Sequence, residues 1–248
     1  MKVRMYNVGF GDCFCLRDRK KSLLVDFGTN NSRIEGRPRR EIFDLIISDL
    51  STIKSKNLLL THFHMDHLSG LLYMMKKKDI SVDFGKIYLP DVFSKKEMSR
   101  TLVLLLLADL LKESGLPSRQ VSLFALVDAL LENKQNVELL SRGKLFENKY
   151  QALWPDTDVI RKETDEVYNR ICEDGKFKEV MDVLLEFAEK LRLIVWSMTA
   201  EGNKPAETVE KETDLTASEL TEQPEVRQKI IRAYVYEREF RRIKALPD

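Results

Sequence analysis

An α/β fold with a helical insert and a helical C-terminal region is predicted by three observations. Up to about residue 155, short apolar runs alternate with stretches of helical periodicity, the order expected of a sheet with crossover helices. Between about 94 and 133 the chain is leucine-rich with a helical period. After Pro155 the strand pattern stops, and a long apolar stripe at helical spacing replaces it. The expected organisation is an N-terminal portion over 1–158, with the insert at about 94–133, and a helical region over 159–248.

Composition narrows the class. With 248 residues the chain can bury a substantial core. Its 41 basic and 40 acidic residues leave a formal charge of +1, so bulk electrostatics give no reason to expect nucleic acid or an anionic membrane as partner. Three cysteines, Cys13, Cys15 and Cys172, make no disulfide framework and suit a reducing compartment. The N-terminus lacks the long apolar region of a signal peptide, and the longest apolar run, Leu102 to Ala108, is too short to span a bilayer. A cytoplasmic location is expected.

Val3 to Val8, Cys13 to Leu16 and Ser22 to Asp26 read as the first three strands. Gly9-Phe10-Gly11-Asp12 forms a turn between the first two, where glycine admits a positive φ and Asp12 can bond back to nearby amides. Cys13 and Cys15 share a strand face, as core thiols or with Cys13 as a metal or redox residue. Asp26 stands at a strand end, either capping a turn or orienting a functional loop. Arg33 to Arg40 holds four arginines and one glutamate and reads as a mobile basic loop, solubilising or in contact with an anionic substrate. An amphipathic helix is expected over Arg40 to Leu50, and a buried strand over Asn57 to Thr61.

That strand runs into Thr61-His62-Phe63-His64-Met65-Asp66-His67, which contains all three histidines of the chain. Four metal-ligand side chains thus lie within six positions, followed by a helix expected over Leu68 to Lys77. Imidazole and carboxylate at the end of a strand suit zinc, manganese or iron.

The pattern His62-x-His64-x-Asp66-His67 resembles the HxHxDH motif of the metallo-beta-lactamase fold. Asn7-Val8-Gly9-Phe10-Gly11-Asp12 and Leu24-Val25-Asp26-Phe27-Gly28 resemble the opening strands of its subgroup related to the hydrolase domain of bacterial competence (DNA uptake) proteins. The likeness runs from Met1 to about Pro90, with a weaker trace from Val137 to Pro155 that includes Leu153-Trp154-Pro155. It implies an αββα architecture, incomplete in this chain. It also implies that His62 and His64 serve one metal ion, and Asp66 and His67 a second. Asp26 and Asp12 would stand behind these ligands, and Asp66 would also act in catalysis by orienting water. The implied cofactor is zinc, as two ions when the site is complete, with manganese as the other candidate. The implied chemistry is hydrolysis by metal-activated hydroxide.

The rest of the chain completes the expectation. Lys86 to Pro90 reads as a strand, and Ser94-x-x-Glu97 as a capping box opening a helix to about Glu113. Gly115-Leu116-Pro117 ends it, and Arg119 to Glu132 is the next helix; the pair would cover a sheet layer or form a dimerisation insert. Asn136 to Leu140 and Leu145 to Trp154 suggest a strand pair, with Trp154 as a core anchor in preference to a substrate platform. Asp156 and Asp158 read as a solvated turn or as carboxylate ligands. A short helix from Val167 to Cys172 should end at Asp174-Gly175, and Phe177 to Met198 should form a long helix with Met181 and Met198 in the core. Glu201 to Asp214 reads as a linker, and a last helix, admitting Pro224 in its first turn, should reach Lys244. The later histidines and Gly-Asp segment of the family pattern do not occur. The expected function is therefore a metal-dependent hydrolase subunit or fragment, acting on phosphoesters in the manner of a phosphodiesterase or nuclease. Its remaining ligands would come from another segment or a partner polypeptide. The alternatives are a mononuclear site and an inactive interaction or regulatory module. No membrane partner is expected.

Overall fold

The computed structural model describes residues 1–18, 21–77, 83–113, 123–173 and 175–200. Expectations for 114–122, Asp174 and 201–248 lie outside these residues. The described chain forms two compact units, one of Met1–Asp91 with Leu105–Asp156, the other of Val92–Leu104 with the chain from Thr157.

The first unit is built on a six-stranded mixed sheet. In chain order its strands are β1 (Lys2–Met5), β2 (Phe14–Asp18), β3 (Lys21–Val25), β6 (Lys56–Leu59), β7 (Ile87–Pro90) and β8 (Val137–Leu140). That is also their spatial order. β1, β2 and β3 pair antiparallel through short turns, whereas β3, β6, β7 and β8 pair parallel. Parallel neighbours need long crossovers, and the helices α1 (Arg39–Ser51), α2 (Met65–Lys76) and α4 (Leu123–Glu132) supply them.

Register assigns the two sheet faces. Cys15, Leu24, Leu58 and Ile87 are aligned through the ladder, and each has no exposed surface. This face packs beneath the crossover helices, with Phe27 and Phe43 edge to face at 5.2 Å. On the opposite face Leu23, Tyr88 and Leu140 cluster with Phe146 and Ala152. Phe146 ends β9 (Leu145–Phe146), which pairs antiparallel with β10 (Tyr150–Gln151) as a small separate hairpin. Tyr88 donates to Glu147 at 2.6 Å, and Asn57 also donates to Glu147, so the hairpin is tied to the sheet by hydrogen bonds as well as apolar contact. Towards β1 this face is open: Val3 is 60% and Met5 72% exposed. Among the described residues there is one large sheet and two two-stranded ones.

In the second unit, a 3-10 turn (Lys96–Met98) and the start of α3 (Ser99–Glu113) meet α5 (Thr157–Cys172) and α6 (Gly175–Ser197). α6 buries Met181, Leu184, Phe187 and Leu191, and the following Met198 is also buried. Arg100 reaches Asp165 at 2.8 Å, and Thr101 meets Thr164 at 3.0 Å. No described helix is long and apolar enough to cross a membrane.

Several local expectations are corrected. Arg33 to Arg40 is not an irregular loop: β4 (Arg33–Ile34) and β5 (Arg37–Pro38) form a hairpin that leads into α1. Glu35 and Gly36, with φ of 49° and 79°, give its turn the hand that matches strand twist. The Ser94-x-x-Glu97 pattern does not cap α3, because a 3-10 turn with no side-chain cap intervenes. Leu145 to Trp154 forms its own hairpin, and Trp154 is 56% exposed, so it is not a core anchor. α5 begins ten residues before Val167 but ends at Cys172 as expected, and Gly175 already opens α6.

Candidate metal centre

Three segments converge at the carboxyl end of the sheet: the turn before β2, the end of β3 and the start of α2. At the end of β3, Asp26 adopts φ 55°, a left-handed conformation that aspartate tolerates better than most residues. Its amide donates to Leu59 O at 2.8 Å, and its carboxylate is 3% exposed. That carboxylate accepts from the Thr61 amide and the Thr61 hydroxyl, both at 2.8 Å, and lies 3.0 Å from His67 Nδ1.

α2 starts at Met65, three residues before the expected position, so Asp66 and His67 lie in its first turn. An acidic side chain is favoured there by the helix dipole. The turn is clamped to the end of β3. The Phe27 amide donates to His67 O at 2.7 Å, and the Gly70 amide donates to Phe27 O at 2.8 Å. Ser69 Oγ accepts from the Thr29 amide at 2.9 Å and donates to Thr29 O at 3.0 Å. The Asp12 amide donates to Asp66 O at 3.1 Å, which brings in the third segment. The packing leaves no room for a side chain at Gly28, where a Cβ would lie 2.6 Å from the Asp66 carbonyl carbon.

This scaffold gathers His62, Asp66 and His67, whose donor atoms all lie within 4.8 Å of one another. His67 Nε2 is 3.5 Å from Asp66 Oδ2, and His67 Nδ1 is 3.7 Å from Asp12 Oδ2. His64 occupies the N-cap position of α2 without a side-chain capping bond and is not in that group; its ring centroid lies 4.8 Å from that of His62. Asp156 instead accepts from Arg142 at 2.9 Å, and Asp158 lies in the first turn of α5. All three cysteines are free thiols, with Cys13 and Cys15 buried.

Electrostatics separate the two triad histidines. Burial lowers the pKa of His62, and the neighbouring His67 and His64 lower it further against the pull of Asp26 and Asp66. A neutral imidazole is the form that binds metal. Burial also acts to lower His67, but the Asp26 hydrogen bond and the charges of Asp26, Asp66 and Asp12 outweigh it and raise the pKa.

The donor set fits a divalent cation on two counts. Two imidazoles and a carboxylate are ordinary ligands of zinc and related metals, and three protein donors leave a position for another ligand. A carboxylate on the far nitrogen of His67 fixes its tautomer and leaves Nε2 towards Asp66, the usual support of a metal-bound histidine. Sequence reasoning missed Thr61 and Ser69. Thr61 stands directly before the motif, but its bond to Asp26 joins residues 35 apart in the chain.

No curated protein and no solved structure matches this chain. The six-stranded mixed sheet flanked by helices matches a metallo-beta-lactamase-like αββα architecture, with α5 and α6 as an added helical region. Residues 6–93, which contain the whole triad and its supporting loops, match the metallo-beta-lactamase superfamily.

Proposed function

We propose that this protein is a metal-dependent hydrolase subunit whose site is finished by donors from another segment or chain. The observation that carries the reading is the buried Asp26–His67 pair behind a cluster of His62, Asp66 and His67. In this reading His62, Asp66 and His67 hold one divalent ion, zinc or manganese, and His64 beside His62 contributes when a second ion enters. The ion supplies Lewis acidity and makes water a stronger nucleophile at neutral pH. The protein's own groups do the positioning. Asp26 accepts a hydrogen bond from His67 Nδ1 and holds Thr61, while Thr61 Oγ1 sits 3.0 Å from His62 Nδ1. Asp66 would also orient the attacking water.

A phosphoester substrate is supported by the likeness of Asn7–Asp12 and Leu24–Gly28 to the competence-protein subgroup. It is also supported by the arginine hairpin, which the Asn7–Glu35 hydrogen bond of 2.7 Å ties to the loop leading to Asp12. A cytoplasmic setting agrees with three free thiols. A second reading, a catalytically inactive interaction module, draws on the open sheet face at Val3 and Met5. Either way a partner polypeptide, or a second copy, would cover that face.

Metal content after zinc loading and desalting separates the readings. The hydrolase reading expects stoichiometric zinc that is lost in His62→Ala and His67→Ala. Absence of stoichiometric zinc or manganese from both the isolated chain and its complexes would sink it. The interaction reading expects partner binding that persists after His62→Ala and His64→Ala.

A further inference from the structure

We propose that the apolar cavity beside the triad receives an uncharged aryl or branched alkyl group of the molecule hydrolysed there. The proposal rests on the hydrolase reading above. The cavity has a volume of about 300 Å³. An apolar cavity of roughly half that size already accepts benzene, so one or two rings fit.

Four features argue for this occupant. First, the walls are contributed by Leu59, Pro90 and Leu140 at the carboxyl ends of three parallel strands, where open α/β sheets bind their ligands. Secondly, among the described residues none of the lining side chains is charged, and Thr61 and Gln151 are the polar ones. A charged group is therefore disfavoured inside, and an apolar one gains by leaving water. Thirdly, Thr61 belongs to both places. It lines the cavity, and its hydroxyl contacts Asp26 and His62 at 2.8 and 3.0 Å. A substrate held at the triad thus has the cavity next to it. Fourthly, the outer wall is built in advance. Gly143 and Arg142 amides donate to Ala152 O and Pro155 O at 2.8 Å each, and the Ala152 amide donates to Lys144 O at 2.9 Å. These bonds hold Leu153 and Trp154 at the rim although they are 78% and 56% exposed. Large apolar side chains left in water at the mouth of an apolar cavity are the surface a ligand would cover.

Two titrations test the proposal. The first uses metal-free protein in a Trp196→Phe background, where Trp154 is the remaining one of two tryptophans. Benzyl alcohol should change its emission saturably, and Ala152→Leu, which fills the cavity, should abolish the change. The second uses zinc-loaded protein and calorimetry. Phenylphosphonate should bind at least about tenfold more tightly than methylphosphonate, the gain from burying one ring. That preference should vanish in Trp154→Ala, a substitution at a 56% exposed position whose circular dichroism should match the parent. Equal affinity for the two phosphonates, or unaltered preference in Trp154→Ala, overturns the cavity proposal and leaves the metal reading standing. Benzyl alcohol binding without zinc-dependent binding of either phosphonate, in the isolated chain and in its complexes alike, overturns the metal reading, and with it the assignment of the cavity to a substrate.

Discussion

Asp26 is the residue on which the centre depends most. It holds an uncommon backbone conformation, is almost fully buried, and touches Thr61 and His67 with the same carboxylate. Strain of this kind persists where the surroundings over-determine it. Asp26→Asn should weaken zinc binding by about 10- to 100-fold, because an amide neither fixes the His67 tautomer nor raises its basicity. Competition with a zinc chelator measures this, and unchanged affinity would remove Asp26 from the metal's support. Gly28 tests the close approach of the same segments. A Cβ there lies within 2.7 Å of Asp66 and His67 backbone atoms, which cannot swing aside. Gly28→Ala should cost about 3 kcal/mol by urea unfolding and should impair zinc binding as well. Of these contacts, the sequence reveals only the participants. Asp26 and Gly28 stand after an apolar run, but nothing local says that the chain will return to them 35 residues later.

At the scale of elements, a turn of helix changes the reading of the motif. The sequence places the start of α2 at Leu68, although Ser69 and Gly70 weaken a first turn there by propensity. The helix nevertheless starts at Met65. Ser69 is occupied by its two bonds with Thr29, and Gly70 lets the Phe27 ring approach to 2.6 Å of a would-be Cβ. Tertiary contacts thus override propensity, and they place Asp66 and His67 on rigid backbone. A second remote contact starts α4: Asp109, on α3, accepts from the Leu123 and Phe124 amides at 2.7 and 3.4 Å. It acts as an N-cap from another helix. Asp109→Ala should destabilise the protein by about 1–2 kcal/mol, read from the thermal midpoint; a change near zero would show that α4 starts without it.

Over the whole molecule, alkaline pH reports on packing in both units separately. Tyr6 and Tyr88 in the first unit are pushed above the ordinary tyrosine range, by burial first and then by hydrogen bonds to Asp49 and Glu147. Tyr168 in the second is pushed up to about 12 by burial, then by Cys172 and Asp182 against the pull of Arg100. A folded pKa above the unfolded one means that the unfolded chain loses its proton first. Stability from these groups is therefore intact below about pH 10 and is lost as pH rises through the folded values. At pH 11 at least three of the seven tyrosines should stay protonated in the folded protein, against nearly none in urea. Absorbance at 295 nm measures this, and Tyr168→Phe should reduce the count by one. Full ionisation by pH 11 without unfolding would contradict the packing described.

The α/β alternation, the approximate positions of the sheet strands, α1, α6 and the four-ligand motif were legible in the sequence, because hydrophobic periodicity and residue chemistry are local properties. Composition by itself determined only a near-neutral net charge of +1, which gives no bulk electrostatic reason to expect nucleic acid or an anionic membrane. What only the tertiary structure decided is non-local. It grouped residues 92–104 with the C-terminal helices, turned the arginine segment into a hairpin, and left Trp154 at the surface. It also selected His62, Asp66 and His67 as the donors lying within 4.8 Å of one another. Four candidate ligands in six residues announce a metal site, but which atoms meet depends on where α2 begins and on what Asp26 holds from the neighbouring strand.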